Sequence, residues 1–185
     1  MKKICGLTTL PITIKSFMLG NLNYMADNGY KAYAISQPGE ILQKEHLGKV
    51  QFLPLLIKHG NVSPLEVFKT IWKLYKIFKK EQFDIIQYAT SNAALYACIA
   101  GWMARTPVRI YCQWGISYTD YHGMYLWFYK LMEKVTCIFS TSVQPDSPSN
   151  LKFSIEEGLY KASKGHVLLN GSATGVDLTK YDYSM

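Results

Sequence analysis

The chain has 185 residues, of which 49% are apolar and 18% are charged. This composition excludes a disordered tail and is sufficient for the core of one ordinary α/β domain. The formal net charge of +7 arises entirely in residues 1–105, where 13 Lys and Arg oppose 6 Asp and Glu, because residues 106–185 carry seven of each sign. Such an uneven distribution predicts an anionic partner, such as phosphate, nucleic acid or a membrane surface, with a merely solvated basic face as the alternative.

Short β-rich segments alternate with helical segments along the chain. In chain order the predicted elements are strand 2–9, helix 15–27, strand 30–36, helix 41–46, strand 50–55, helix 64–81, strand 84–88, helix 92–104, strand 107–113, helix 124–134, strand 136–143, helix 151–157 and strand 166–169. The long helix has Ser63 as its capping residue and Pro64 at its first position, as helix starts commonly do. Regular alternation requires mostly parallel strands with right-handed crossovers, so we predict a Rossmann-like, doubly wound α/β sheet of about seven strands.

The sequence favours a cytoplasmic location. Residues 85–104 are uncharged, but they contain amide and hydroxyl side chains that are costly in hydrocarbon, so a strand followed by a small-residue helix explains them better than a membrane span. The start of the chain lacks the long apolar stretch of a signal peptide. The four cysteines lie far apart among apolar neighbours without zinc-site spacing, and we expect reduced core thiols at Cys5, Cys98, Cys112 and Cys137.

Ligands of an open parallel sheet bind beyond the carboxyl ends of its strands. This rule selects four loops, at residues 8–13, 88–92, 113–123 and 170–177. The chain has neither GxGxxG nor GxxxxGK[ST], which disfavours dinucleotides and simple nucleoside triphosphates. The threonines of the first loop could still receive a phosphate or a sugar hydroxyl, although Thr8 and Thr9 could instead simply end a strand.

Residues 114–123, WGISYTDYHG, are the most unusual stretch. Aromatic rings can pack on the C–H faces of a sugar while Asp120 and His122 take hydrogen bonds from its hydroxyls. His122 could also act as a general base, since the pKa of a free imidazole lies near working pH. The alternative is a loop at the start of a helix, with His122 facing solvent.

The long helix combines cations with aromatic residues. Val67, Ile71, Leu74 and Phe78 share the face that should meet the sheet. Five lysines gather on the opposite side: Lys69, Lys73, Lys76, Lys79 and Lys80. Leu65, Phe68 and Trp72 lie at the edge of that side. This arrangement is typical of a helix at an anionic bilayer, where each lysine contributes about 1 kcal/mol. A solvated face is the alternative, and no nucleic-acid partner is expected because no known nucleic-acid motif is present.

Several segments, in this order and spacing, resemble the N-terminal domain of family 4-like glycosyltransferases of the GT-B type, most closely bacterial members that build capsule and lipopolysaccharide. They are residues 2–11, Ser16-Phe17, Gly29-Tyr30, 79–88 (KKEQFDIIQY), 106–111 and 170–178 (NGSATGVDL). The resemblance implies two Rossmann-like domains facing across a cleft. Residues 1–169 would be the acceptor-side domain and residues 170–185 the start of the linker, while the donor-binding domain is absent from this chain.

The resemblance further implies transfer with retention, no metal, and no cofactor besides the nucleotide-sugar donor, which the missing domain would hold. The acceptor would be a polysaccharide or a sugar on a polyprenyl diphosphate. Many relatives have His-Gly after the fifth strand, where this chain has Trp114-Gly115. A histidine role is therefore not transferred to that position.

The leading hypothesis is the acceptor-binding half of a sugar-transferring enzyme that lies in the cytoplasm, peripherally at the inner face of the membrane. Asp120 and His122 are its candidate catalytic residues. Its candidate acceptor-binding residues are Thr8, Thr9, Thr13, Thr90, Ser91, Trp114, Gly115 and Tyr118, and its candidate membrane-facing residues are Lys69, Trp72, Lys73, Lys76 and Lys80. The alternatives are a non-catalytic membrane-docking subunit that pairs with a separate donor-binding chain, and a sugar-nucleotide epimerase of the same fold.

Overall fold

The computed structural model describes residues 1–42, 47–58, 60 and 62–175. They form a six-stranded sheet in the order β3-β2-β1-β4-β5-β6, in which every neighbouring pair is parallel. The strands are β1 Lys3–Leu7, β2 Lys31–Ser36, β3 Gln51–Pro54, β4 Ile85–Tyr88, β5 Val108–Gln113 and β6 Ser142–Pro145. The predicted Rossmann-like fold is confirmed, with six strands where about seven were expected.

Helices cover both faces of the sheet. They are α1 Pro11–Thr13 and α2 Leu19–Asp27, joined by a π-helical turn at Ile14–Met18, then α3 Pro64–Glu81, α4 Ser91–Met103, α5 Gly123–Phe139 and α6 Pro148–Glu156. Alternate residues of β1 divide between the two cores, since Cys5 and Leu7 pack in the cluster that includes α3, α4 and α5 while Ile4 packs in the one that includes α2. Two-sided burial explains why the inner strands are apolar almost throughout.

Helix α4 lies between α3 and α5 and approaches the sheet closely because its inner residues are small. Ala93, Ala94, Ala97 and Ala100 are fully buried. A Cβ atom at Gly101 would collide with the side chain of Ile86 on β4. The uncharged run at 85–104 is therefore strand β4 followed by α4, as predicted.

Two of the predicted helices were wrong in extent. Helix α5 continues to Phe139, through residues 136–139 that were predicted as strand, because the buried side chains of Glu133, Thr136 and Cys137 recur at helical spacing against the sheet. The first helix begins at Pro11 rather than at residue 15, since proline suits a first helical turn. In the predicted helix 41–46, a 3₁₀ turn covers Glu40–Leu42, and residues 43–46 lie outside the described part of the chain.

The predicted seventh strand is reduced to an isolated parallel bridge between Val143 and Gly165. After this bridge the chain turns towards the end of β6, where the Ser172 N–H donates to the carbonyl of Asp146 at 2.6 Å. Gly171 lies so close to the Asp146 backbone that a side chain would not fit there, and its φ is +96°. His166 still donates its N–H to the carbonyl of Val143 at 2.9 Å, but residues 166–169 form no strand.

Candidate functional site

Three of the loops predicted at the carboxyl edge of the sheet meet there. Ala89, which follows β4, donates its N–H to the carbonyl of Leu7 at 3.1 Å. Thr9 donates its N–H to Thr90 Oγ1 at 3.1 Å, and the two threonine hydroxyls lie 2.8 Å apart. Ser91 donates through its hydroxyl to Ser117 at 3.4 Å. The loops after β1, β4 and β5 are thus connected by hydrogen bonds.

A polar cleft of about 320 Å³ opens between the loops after β4 and β5. Four candidate acceptor-binding residues lie in its wall together, and its lining is Thr90, Ser91, Tyr111, Cys112, Trp114, Gly115, Ile116 and Ser117. The Trp114 indole is half-buried, and its ring centroid lies 5.2 Å from that of Phe17. Gly115 has a φ of +96°, which only glycine adopts readily and which brings bare backbone to the cleft wall.

The backbone of Thr90 is strained. Its φ of 66° and ψ of 138° lie outside the regions that β-branched residues normally adopt. Such a conformation costs roughly 1–3 kcal/mol and persists only where neighbouring contacts hold it. Here the contacts to Thr9 hold it, directly beside the cleft.

Thr8 and Thr9 do not face the cleft openly. Both are buried, Thr8 donates its hydroxyl to the carbonyl of Leu10 at 2.8 Å, and the Thr9 hydroxyl contacts Thr90. Thr13 is half-buried in α1. Thr9 therefore supports the cleft residue Thr90, and direct contact with an acceptor stays a prediction for all three threonines.

Tyr118, Asp120 and His122 lie outside the lining of the cleft. Tyr118 is buried, and its hydroxyl donates to Glu157 beyond α6 at 3.4 Å. Burial and the Glu157 carboxylate raise the pKa of Tyr118 above its ordinary value. Asp120 is exposed, and His122 is exposed as the residue that precedes α5. Their catalytic role stays a prediction.

Beneath the cleft lies a buried polar network that was not predicted from the sequence. Its members are Tyr111, Gln113, Glu133, Ser154 and Tyr160. Glu133 accepts from Gln113 Nε2 at 2.7 Å and from the Tyr111 hydroxyl at 3.0 Å. Gln113 Oε1 in turn accepts from Ser154 at 3.1 Å and from Tyr160 at 3.0 Å. The network therefore joins the end of β5 to α5 and α6, and it fixes the residue immediately before Trp114.

The acid in this network is Glu133, only 6% exposed. Burial raises the pKa of Glu133 above its ordinary value of 4.5, and the hydrogen bonds from Gln113 and Tyr111 act against that rise. Within the described residues, no buried side-chain nitrogen or oxygen lacks a hydrogen-bond partner. A glutamate at helical spacing from Tyr129 and Cys137 was the available signal, but the sequence does not reveal its partners.

A second cavity, which we name the apolar groove, lies between α3, α4 and α5 and has a volume of about 670 Å³. Its floor is α4, and α3 and α5 form its walls. The groove is lined by Gly60, Val62, Pro64, Val67, Phe68, Ile71, Asn92, Leu95, Tyr96, Tyr125, Phe128, Tyr129 and Met132. The apolar edge of α3 was predicted from the sequence, whereas the contribution of α5 was not.

The lysines predicted to face a membrane are exposed. Lys69, Lys73, Lys76 and Lys80 lie on α3 opposite the buried Leu74 and Phe78. Trp72 is 42% exposed, and its ring stacks with Phe68 at 6.4 Å. In the described part of the chain, no helix combines the length and apolar character needed to cross a bilayer.

A parallel Rossmann-like sheet with a polar cleft at its carboxyl edge is the architecture of one half of a GT-B-type protein. The chain belongs to the family described as Glycosyl transferase 4-like, whose sequence profile matches residues 4–144. It is 25% identical over 180 residues to the capsular polysaccharide biosynthesis glycosyltransferase CapM of Staphylococcus aureus, covering 97% of this chain and 46% of CapM.

Solved structures of the same fold include the Neisseria meningitidis UDP-GlcNAc 2-epimerase bound to UDP-GlcNAc, with a TM-score of 0.68 and 17% identity over 92% of this chain and 46% of that chain. Another is Anabaena HepE in complex with UDP and glucose, with a TM-score of 0.68 and 16% identity over 98% of this chain and 46% of that chain. The chain thus spans about half the length of the relatives it matches.

Proposed function

We propose that this chain is the acceptor-side half of a retaining glycosyltransferase, which moves a sugar from a nucleotide diphosphate to a polysaccharide or a polyprenyl-diphosphate-linked acceptor. The carrying observation is the polar cleft, where Thr90, Ser91, Trp114 and Gly115 meet in a chain of the glycosyltransferase 4-like family. The similarity to CapM supports an acceptor of the capsule type. The donor would be held mainly by a second domain across the cleft.

The chemistry of the cleft suits a sugar hydroxyl and the ring behind it. The indole of Trp114 offers an apolar face to sugar C–H groups. The hydroxyls of Ser91 and Ser117 can both donate and accept, so they can match a sugar hydroxyl in either role. Asp120 and His122 lie on the same loop, exposed before α5, where the second domain could bring the reacting groups to them.

The exposed lysines of α3 support peripheral attachment to an anionic bilayer at the inner face of the cell membrane. At about 1 kcal/mol for each lysine near the surface, Lys69, Lys73, Lys76 and Lys80 together would hold the protein weakly. Trp72 suits the polar–apolar boundary of the membrane. These groups also favour the second candidate function, a docking subunit that performs no transfer itself.

The cleft is tested by Trp114→Ala in the full-length protein. Loss of the ring should lower transfer to the acceptor by about tenfold or more. Trp102→Ala is the matched control, because Trp102 is 54% exposed at the opposite end of α4 and should leave transfer unchanged. Equal turnover of wild type and Trp114→Ala would remove the cleft from the mechanism, and epimerisation of a nucleotide sugar without acceptor would favour the epimerase.

Membrane attachment is tested by sedimentation with phosphatidylglycerol vesicles. Replacing Lys69, Lys73 and Lys76 together by glutamate should abolish binding, since the attraction becomes repulsion. The control replaces the exposed residues Lys134, Lys152 and Lys161 in the same way, which makes the same change in net charge elsewhere. Equal losses in both variants would indicate a general charge effect rather than docking by α3.

A further inference from the structure

The apolar groove is not explained by sugar chemistry. Asn92 contributes an amide to its lining, but the Asn92 Nδ2 already donates to the carbonyls of Lys58 and Gly60, each at 3.0 Å. The walls consist of aliphatic and aromatic side chains from α3 and α5. A concave, mainly apolar site of this volume is within the range of ligand pockets. Its lining suits a hydrocarbon chain better than a sugar or an extended peptide, which would need several polar partners.

Exposure at the rim of the groove points the same way. Phe68 is 62% exposed and Phe128 is 51% exposed, on opposite walls. Large apolar residues that remain exposed together mark a binding surface rather than a core.

The groove and the polar cleft adjoin at the start of α4. Asn92 lines the groove, whereas Thr90 and Ser91, the two residues before it, line the cleft. A molecule with a hydrocarbon tail in the groove would therefore have its polar end beside the cleft. One amphiphile can occupy both cavities.

We propose that the apolar groove binds the hydrocarbon chain of an amphiphilic acceptor and presents its phosphate-linked or sugar end at Thr90 and Ser91. The identity of the polar end rests on the proposed function, whereas the binding of the hydrocarbon chain rests on the apolar groove alone. Phe68 and Phe128 close on the chain from α3 and α5, and Leu95 lies in the floor. The protein thereby selects acceptors by their tail as well as by their sugar.

The test measures binding of farnesyl phosphate to the full-length protein by equilibrium dialysis, below the concentration at which the lipid forms micelles. Each additional buried CH₂ group increases affinity about fourfold, so farnesyl phosphate should bind more than tenfold more tightly than geranyl phosphate. Phe128→Asp should weaken farnesyl phosphate binding by about tenfold or more, because it places a charge beside the chain.

Trp127→Asp is the matched control. Trp127 neighbours Phe128 on α5, is 64% exposed and does not line the groove, so this variant should bind the monomeric lipid within about twofold of wild type. If Phe128→Asp fails to fold, Phe128→Ser provides the same comparison without a charge. Equal weakening by substitutions at both positions would overturn the proposal.

Other outcomes separate the occupants of the groove. Binding to phosphatidylglycerol vesicles without binding to monomeric farnesyl phosphate would indicate that the protein binds the bilayer surface. That result would overturn the proposal that the apolar groove binds a hydrocarbon chain. Full displacement by inorganic phosphate would reduce the interaction to anion binding. Absence of lipid binding in the full-length protein would also overturn the proposal, and it would indicate that the second domain covers the groove.

The proposed function can be tested separately from the binding of a hydrocarbon chain in the apolar groove. Transfer by the wild-type protein to a water-soluble sugar acceptor without a tail tests the function alone. Lipid binding without any transfer would support the binding of a hydrocarbon chain in the groove and would contradict the proposed glycosyltransferase function. Transfer without lipid binding would do the reverse.

Discussion

The inward and outward faces of α5 carry opposite kinds of side chain. Inward, Glu133 brings a carboxylate into the core, where Tyr111 and Gln113 donate to it. Outward, Trp127 and Phe128 are more than half exposed. The buried acid specifies one position for β5 and α6 relative to the helix, whereas exposed aromatic surface contributes little to folding. The inward face of α5 therefore holds the cleft in place, whereas its outward face contributes to the apolar groove.

The largest expected effect comes from the hub of the buried network. Gln113→Leu removes the acceptor of the Tyr160 hydroxyl and one donor to Glu133, and it leaves the Ser154 hydroxyl only its longer hydrogen bond to Asn150 Oδ1 at 3.3 Å. It should lower the free energy of unfolding by about 3–5 kcal/mol, measured by urea denaturation. Gln51→Leu, at an exposed site on β3, is the control and should change stability by less than about 0.5 kcal/mol. Similar stabilities for the two variants would mean that the network does not hold the fold.

A smaller loss is expected when a single donor is removed. Tyr111→Phe deletes the hydroxyl that donates to Glu133 at 3.0 Å and should cost about 1–3 kcal/mol, since it leaves a buried carboxyl oxygen without this partner. Tyr24→Phe removes a hydroxyl from a residue that is 68% exposed and serves as the matched control. A cost for Tyr111→Phe no greater than that of the control would place the carboxylate in contact with water.

The ionisation of Glu133 gives a pH-dependent test. Its pKa is raised in the folded state, so its contribution to stability is complete below the ordinary value of 4.5 and is lost as pH rises through the folded pKa. Glu133→Gln lacks this dependence. Wild type should therefore lose stability relative to the variant as pH increases from about 4, by about 1.4 kcal/mol for each unit of the shift. Paired urea titrations across this range measure the difference, and a constant or rising difference would contradict the burial of the acid.

The smallest effect is expected on the outer face. Phe128→Ser should change the free energy of unfolding by less than about 1 kcal/mol, because a half-exposed ring loses little burial. The inner substitution Cys137→Asp places a charge at a fully buried site of the same helix and should unfold the chain or cost several kcal/mol. Thermal denaturation of both variants compares the faces directly. A large loss from Phe128→Ser would make the outer face part of the folding core.

The sequence predicted the parallel sheet and the edge at which its loops meet, because β–α alternation constrains both. For the same reason Thr90, Ser91, Trp114 and Gly115 were expected near one another. Tyr118 was predicted to bind the acceptor, and nothing local in the sequence indicates that its hydroxyl turns towards Glu157, beyond α6. A loop offers its side chains several directions, and tertiary packing selects one.

The remaining errors have a similar origin. The segment 135–139, VTCIF, resembles a strand in composition, yet its burial against the sheet follows helical spacing. The polar network depends on the pairing of Gln113 with Glu133, and the apolar groove depends on the spacing of three helices. Neither is encoded in a local pattern. The sequence shows which side chains are available for the polar network and the apolar groove, but it does not show which residues they contact.

The position of Pro54 has a consequence for self-assembly. Strand β3 lies at the end of the sheet order, and Leu55 directs its N–H to Ser36 of β2, so the nitrogen of the preceding residue points away from β2. At that position proline has no proton to donate. A strand from another copy would find an interrupted ladder on a short edge, which disfavours edge-to-edge polymerisation from this side.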